Sequence, residues 1–183
     1  MKFVASPDKQ NHITIVNGVF LVMNHHHPLI LFMMLSILSC REAQNVSPAM
    51  KKKNISDSVR LALNNYFADV RKEGLLGEFK YLDSSLDFFW VPPGYSSSIS
   101  YDSVASILRR YQSLYSSVDN SWESLVIMPI TSELASYSGR IRSLTTDTSG
   151  ITKDITLVET GLVVKRQDGW KLLNGQTSVV GHQ

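Results

Sequence analysis

Residues 160–179 read Thr160-Gly161-Leu162-Val163-Val164-Lys165-Arg166, then Gln167-Asp168-Gly169, then Trp170-Lys171-Leu172-Leu173-Asn174-Gly175-Gln176-Thr177-Ser178-Val179. Asp-Gly between two β-favouring runs is a hairpin signal, because both residues tolerate the positive φ of a tight primed turn. With Gln167 facing Trp170, Glu159 falls opposite Ser178, Gly161 opposite Gln176 and Val163 opposite Asn174. One face of the closing strand then carries Trp170, Leu172, Asn174, Gln176 and Ser178. It begins apolar and ends in neutral hydrogen-bonding groups, as a strand does when it leaves a core and enters a pocket.

Working back from the hairpin, Trp122–Ile130, Leu134–Thr146 and Ile151–Arg166 are extended runs, separated by Thr131-Ser132-Glu133 and Asp147-Thr148-Ser149-Gly150. Four strands joined by short turns form an antiparallel meander. Before them the period is helical. Ser56 is a candidate N-cap for Val59, Ala62, Leu63, Tyr66, Phe67 and Val70, with Gly74 as the stop. Leu75–Leu82 makes a second helical piece, Asp87-Phe88-Phe89-Trp90-Val91 a short strand cut off by Pro92-Pro93-Gly94, and Ser100 caps a third helix. Helices followed by a curling antiparallel sheet predict an α+β fold, with the helices covering one sheet face.

From about Ile55 to Val180 the chain resembles the nuclear transport factor 2-like superfamily, which has a cystatin-like fold, and within it the SnoaL-like group. The resemblance rests on Tyr66-Phe67 in the first helix, the strand from Asp87 to Gly94, and the closing Asp168-Gly169-Trp170-Lys171-Leu172-Leu173. It implies a cone-shaped barrel with a pocket at its wide end, and commonly a dimer formed through the outer sheet face. Ligand-binding candidates are Tyr66, Phe88, Trp90, Asn174, Gln176 and Ser178, although aromatic residues at such spacings also serve as plain core.

The hairpin register gathers Glu159 with Asn174, Gln176 and Ser178, which makes Glu159 a candidate general base. The bland alternative is a surface pair with Arg140 or Arg142 on the neighbouring strand. Many SnoaL-like proteins carry a histidine where this chain has Gln176, and Gln cannot exchange protons near neutral pH. Ketosteroid-isomerase-like relatives use a first-helix tyrosine with two acids. Tyr66 fits the tyrosine and Asp83 or Asp87 the first acid, so Glu159, Tyr66 and Asp87 are the catalytic candidates. No second acid on the later strands aligns with them, and Asp87 can equally cap the entrance to its strand.

The N-terminus carries an address. Leu29–Leu38 is apolar apart from Ser36, too short to span a bilayer but suited to a signal segment. Ile37-Leu38-Ser39-Cys40 resembles the lipobox of bacterial lipoproteins, which implies lipidation at Cys40, a membrane anchor and a place in the bacterial cell envelope. Residues 1–39 are then the targeting segment, with Met23 as an alternative start. Residues 40–54 form a tether and 55–181 the folded domain. A buried N-terminal helix with an ordinary core cysteine is the other reading.

The 183 residues are 43% hydrophobic and 19% charged, with a formal net charge of +2. That balance gives no reason to expect nucleic acid, and Lys51-Lys52-Lys53 reads as a solvated run. His25, His26 and His27 have no carboxylate or thiolate at ligand spacing, so no metal site is expected there. The reading is thus an exported, lipid-anchored domain that binds a small, largely apolar molecule. Two alternatives are an isomerase, cyclase or hydrolase working without metal or bound cofactor, and a non-catalytic dimerisation or interaction module.

Overall fold

The computed structural model describes residues 47–180. The targeting segment, Cys40, the first part of the tether and His182 lie outside the described residues. Helix α1 (Pro48–Glu73) is followed by a 3-10 turn (Leu75–Lys80), strand β1 (Phe89–Val91), helix α2 (Tyr101–Gln112), and strands β2 (Tyr115–Pro129), β3 (Leu134–Asp147), β4 (Thr152–Arg166) and β5 (Gly169–Val179). The sheet is curved and unclosed, in the order β1-β5-β4-β3-β2. β2 to β5 are antiparallel neighbours and β1 runs parallel to β5. The α+β architecture with helices on one sheet face is the one the sequence predicts.

α1 starts eight residues before the expected cap at Ser56. Ser47 accepts a hydrogen bond from Met50 N at 3.2 Å and Pro48 opens the first turn, a cap-and-proline start. The turns from Met50 to Asn54 are exposed, so no apolar period marks them. Further on, Val59, Leu63, Tyr66, Phe67 and Val70 are buried against the sheet. Gly74, at φ +73°, ends the helix by donating its N–H to Val70 O.

The sheet presents alternate residues to α1. In β3 these are Ala135, Tyr137, Ile141 and Ser143, all buried, while Ser138, Arg140 and Arg142 face outward. β2 begins at Tyr115, seven residues before Trp122, and bulges between Trp122 and Ser124. Serines and Asp119-Asn120 interrupt its apolar alternation, which hides its first half from a hydrophobic pattern.

The closing hairpin forms with a different register. Arg166 pairs with Gly169, so Gln167 and Asp168 occupy the turn, and Gly169 takes φ +124° at the first strand position. Leu162 pairs with Asn174 but Val163 with Leu172, which leaves Leu173 as a bulge. The turn moves the pairing by two residues and the bulge returns one. Glu159 therefore faces Thr177 rather than Ser178. Because side chains alternate with period two, that single step exchanges the faces of everything beyond the bulge.

Candidate active site

Between α1, the 3-10 turn, α2, β1 and the concave sheet face lies a cavity of about 230 Å³. Its wall is largely apolar, with Leu82, Phe88, Trp90, Val104, Leu108 and Leu172. The polar groups in it are few: Tyr66, Glu78, Asn120, Glu159 and Thr177. Such a wall with a small set of convergent polar groups is the usual form of a small-molecule site.

Glu159 is 6% exposed. Its Oε1 accepts the Tyr137 hydroxyl at 2.8 Å and its Oε2 accepts the Thr177 hydroxyl at 3.0 Å. Thr177 Oγ1 in turn accepts the indole N–H of Trp90 at 3.1 Å. An indole nitrogen can only donate, so the Thr177 proton is left to point at Glu159. Burial raises the Glu159 pKa, and the two hydroxyl donors oppose that rise by favouring the carboxylate.

The second carboxyl is Glu78. Burial pushes it up to about 8; the neighbouring Tyr66 hydroxyl pulls it down and the charge of Glu159 adds to the rise. Tyr66 is itself raised well above 10, first by burial and then by Glu78 and Glu159. Tyr137 is raised likewise, by burial and then by Glu159. Among the described residues, no Lys, Arg or His lines the cavity to neutralise the pair.

Local geometry explains how these groups meet. A Cβ on Gly77 would stand 2.7 Å from Asp69 O, so only glycine lets the 3-10 turn lie against the backbone of α1 and bring Glu78 to Tyr66. A Cβ on Gly175 would meet Thr160 O at 2.4 Å and Trp90 Cη2 at 2.8 Å. The missing side chain there gives the indole its seat beside Thr177.

Of the residues singled out from the sequence, Tyr66, Phe88, Trp90 and Glu159 come together in the cavity. Gln176 and Ser178 are exposed on the opposite sheet face, and Asn174 is half-buried and absent from the cavity wall. The bulge at Leu173 is the cause. Asp87 is exposed in the turn before β1 and does not line the cavity. Asp83, 3% exposed, instead accepts Arg166 Nε at 2.5 Å. The surface pairing of Glu159 is excluded by the same geometry. Arg140 pairs with Glu123 and Arg142 with Asp154, each at 2.7 Å on the outer face.

Sequence reading missed Glu78, Tyr137, Thr177 and Asn120. The one mark of Glu78 is a carboxylate set directly after a glycine in a short, mostly apolar helical piece. Thr177 becomes visible only when the bulge is placed.

No family model and no curated protein matches the chain. Solved structures do. A nuclear transport factor 2-like superfamily protein from Salmonella enterica superposes with a TM-score of 0.61 at 12% identity, over 72% of this chain and 94% of that one. A protein with a cystatin-like fold from Caulobacter vibrioides gives 0.56 at 13% identity, over 70% and 91%. A hexachlorocyclohexane dehydrochlorinase gives 0.55 at 12% identity, over 70% and 90%. At these identities the likeness is one of fold: nuclear transport factor 2-like, cystatin-like.

Proposed function

We propose that the domain binds a small, largely apolar molecule in the cavity and moves a proton on it, with Glu159 as base and Glu78 as acid. The observation that carries this reading is a pair of carboxyls, Glu159 buried and Glu78 half-buried, facing one apolar cavity that no cation lines among the described residues, with only Glu159 held by two hydroxyl donors. Two acids that share a poorly solvated cavity do not both ionise readily, and their environments decide which keeps the proton. Tyr137 and Thr177 favour the charge on Glu159, and Glu78, near 8, keeps its proton at neutral pH.

Each Glu159 oxygen retains a lone pair beyond the hydroxyl bond it accepts. The base takes a proton from a carbon next to a carbonyl. The C–H electron pair moves into the carbon skeleton and on to the carbonyl oxygen, where Glu78 donates its proton to form the enol. Reversal at the same or a neighbouring carbon gives exchange or isomerisation, and expulsion of a leaving group from the neighbouring carbon gives elimination. The dehydrochlorinase that shares the fold carries a chemistry of this class in its name.

Acetophenone in deuterated buffer tests this reading. The full chain should speed exchange of its methyl protons, Glu159→Gln should abolish the gain and Glu78→Gln should reduce it. Exchange at the rate of buffer alone would overturn the proposal.

A second reading, an association module, is favoured by Val126 and Met128 near the end of edge strand β2 and Ile130 just after it, exposed at alternate positions. Sedimentation of the domain would show a dimer that Val126→Lys breaks, and a monomer at all concentrations would exclude it. Lipid anchoring at Cys40 remains part of the proposed setting, and an intact mass of envelope-purified protein without a lipid increment would remove it.

A further inference from the structure

One polar group in the cavity is not used by the proton chemistry. Asn120 Oδ1 is buried with no hydrogen-bond partner, and Asn120 lines the cavity. A buried acceptor without a partner carries a desolvation cost that a ligand donor would remove. The residue is also held in place. Arg71 of α1 pairs with Asp119 at 2.5 Å and donates to Asn120 O at 3.3 Å, which pins this part of β2 to the helix. The amide is thus fixed by its backbone and free at its side chain.

The charge balance of the wall adds a second constraint. Two carboxyls and no cation line the cavity among the described residues, so an anionic ligand meets repulsion and finds no counter-charge. A protonated Glu78, with the Tyr66 hydroxyl beside it, offers a donor rather than a second negative charge, which suits a carbonyl oxygen better than an ammonium group. In size, about 230 Å³ exceeds the roughly 150 Å³ of a cavity that holds benzene, which leaves room for on the order of ten non-hydrogen atoms.

We infer that the ligand is uncharged and carries two polar groups, a carbonyl oxygen held by Glu78 and a hydroxyl that donates to Asn120. This rests on the cavity being the binding site proposed above, and it names the class of molecule that site takes. Asn120 then selects among apolar ketones for those with a hydroxyl at the far end.

Four probes of similar size separate the terms: acetophenone, para-hydroxyacetophenone, para-hydroxybenzoate and tyramine. Binding to the full chain is read calorimetrically. Para-hydroxyacetophenone should bind about tenfold more tightly than acetophenone, the worth of one buried hydrogen bond. Para-hydroxybenzoate and tyramine should each bind at least about tenfold more weakly than the hydroxyketone. Asn120→Leu should bring the ratio of the two ketone affinities from about tenfold down to about one. Asn120→Ala repeats the comparison with less bulk, and the melting curve of each variant reports its fold.

Equal or tighter binding of para-hydroxybenzoate or tyramine overturns the inference on the unaltered protein alone. So does an Asn120 variant that weakens both ketones alike. If none of the four probes binds, the cavity reading fails and this inference fails with it. Binding of acetophenone without discrimination removes only the inference.

Discussion

The Thr177 hydroxyl donates to Glu159 Oε2 at 3.0 Å because the Trp90 indole, 3.1 Å away, occupies it as an acceptor. Three residues from three strands, Trp90 of β1, Glu159 of β4 and Thr177 of β5, thus fix the direction of a single proton. With Tyr137 donating to the other oxygen, each Glu159 oxygen accepts a hydroxyl, and both bonds favour the carboxylate against the effect of burial.

Replacing Thr177 tests that hold. Thr177→Val keeps the shape but removes the donor, so the Glu159 pKa should rise further and the fold should lose about 1.5–3 kcal/mol, the scale of a hydrogen bond to a charged group. Thr177→Ser should restore both. Denaturant melts and the pH profile of acetophenone exchange check it, and a Val variant indistinguishable from Ser would contradict the relay.

Stability should fall as pH rises toward 8. Glu78 is raised above its unfolded value of 4.5, so between those limits the folded state binds more protons than the unfolded one. The slope of unfolding free energy with pH is then negative. The contribution of Glu78 is fully present below pH 4.5 and lost through pH 8, with Glu159 acting in the same direction. Glu78→Gln should flatten the decline and melt higher than the parent above pH 8, as thermal melts across pH would show.

Asp83 should behave oppositely. Burial alone would raise its pKa, but Arg166 and Ser85 outweigh that and hold it below the usual carboxylate range. Its stabilisation is therefore present at neutral pH and lost only as pH falls through its lowered pKa. Asp83→Asn should cost about 1–3 kcal/mol at pH 7, less than a fully buried pair because Arg166 is half exposed. Acetophenone exchange should survive, since Asp83 stands outside the cavity wall.

Gly175→Ala should reach the site through packing. The new methyl would collide with Thr160 O and the Trp90 ring, at a cost of about 1–3 kcal/mol. Displacement of the indole also frees Thr177, so exchange activity should drop more than stability does. Tryptophan fluorescence, with melts and exchange rates on the same variant, checks the order of the effects.

The order of elements was legible because each carries a local signal. Examples are the helical spacing from Val59 to Val70, the breaker Pro92-Pro93-Gly94 and the turn at Asp147–Gly150. Tyr66, Trp90 and Glu159 were legible as site residues for the same reason, each standing on a periodic element. The remainder depended on two non-local facts. The bulge at Leu173 leaves no trace in composition, yet it exchanges Ser178 for Thr177 and turns Gln176 outward. Glu78 enters the site only because Gly77 packs on Asp69 O, a contact between two turns of chain that no periodicity records.

Carboxyl titration decides whether a neutral Glu78 shares the cavity with a charged Glu159. With glutamate labelled at the side-chain carboxyl carbon, NMR should show a signal titrating near pH 8 that disappears in Glu78→Gln. If every glutamate signal titrates in the ordinary range near 4, Glu78 is ionised at neutral pH and cannot serve as the acid.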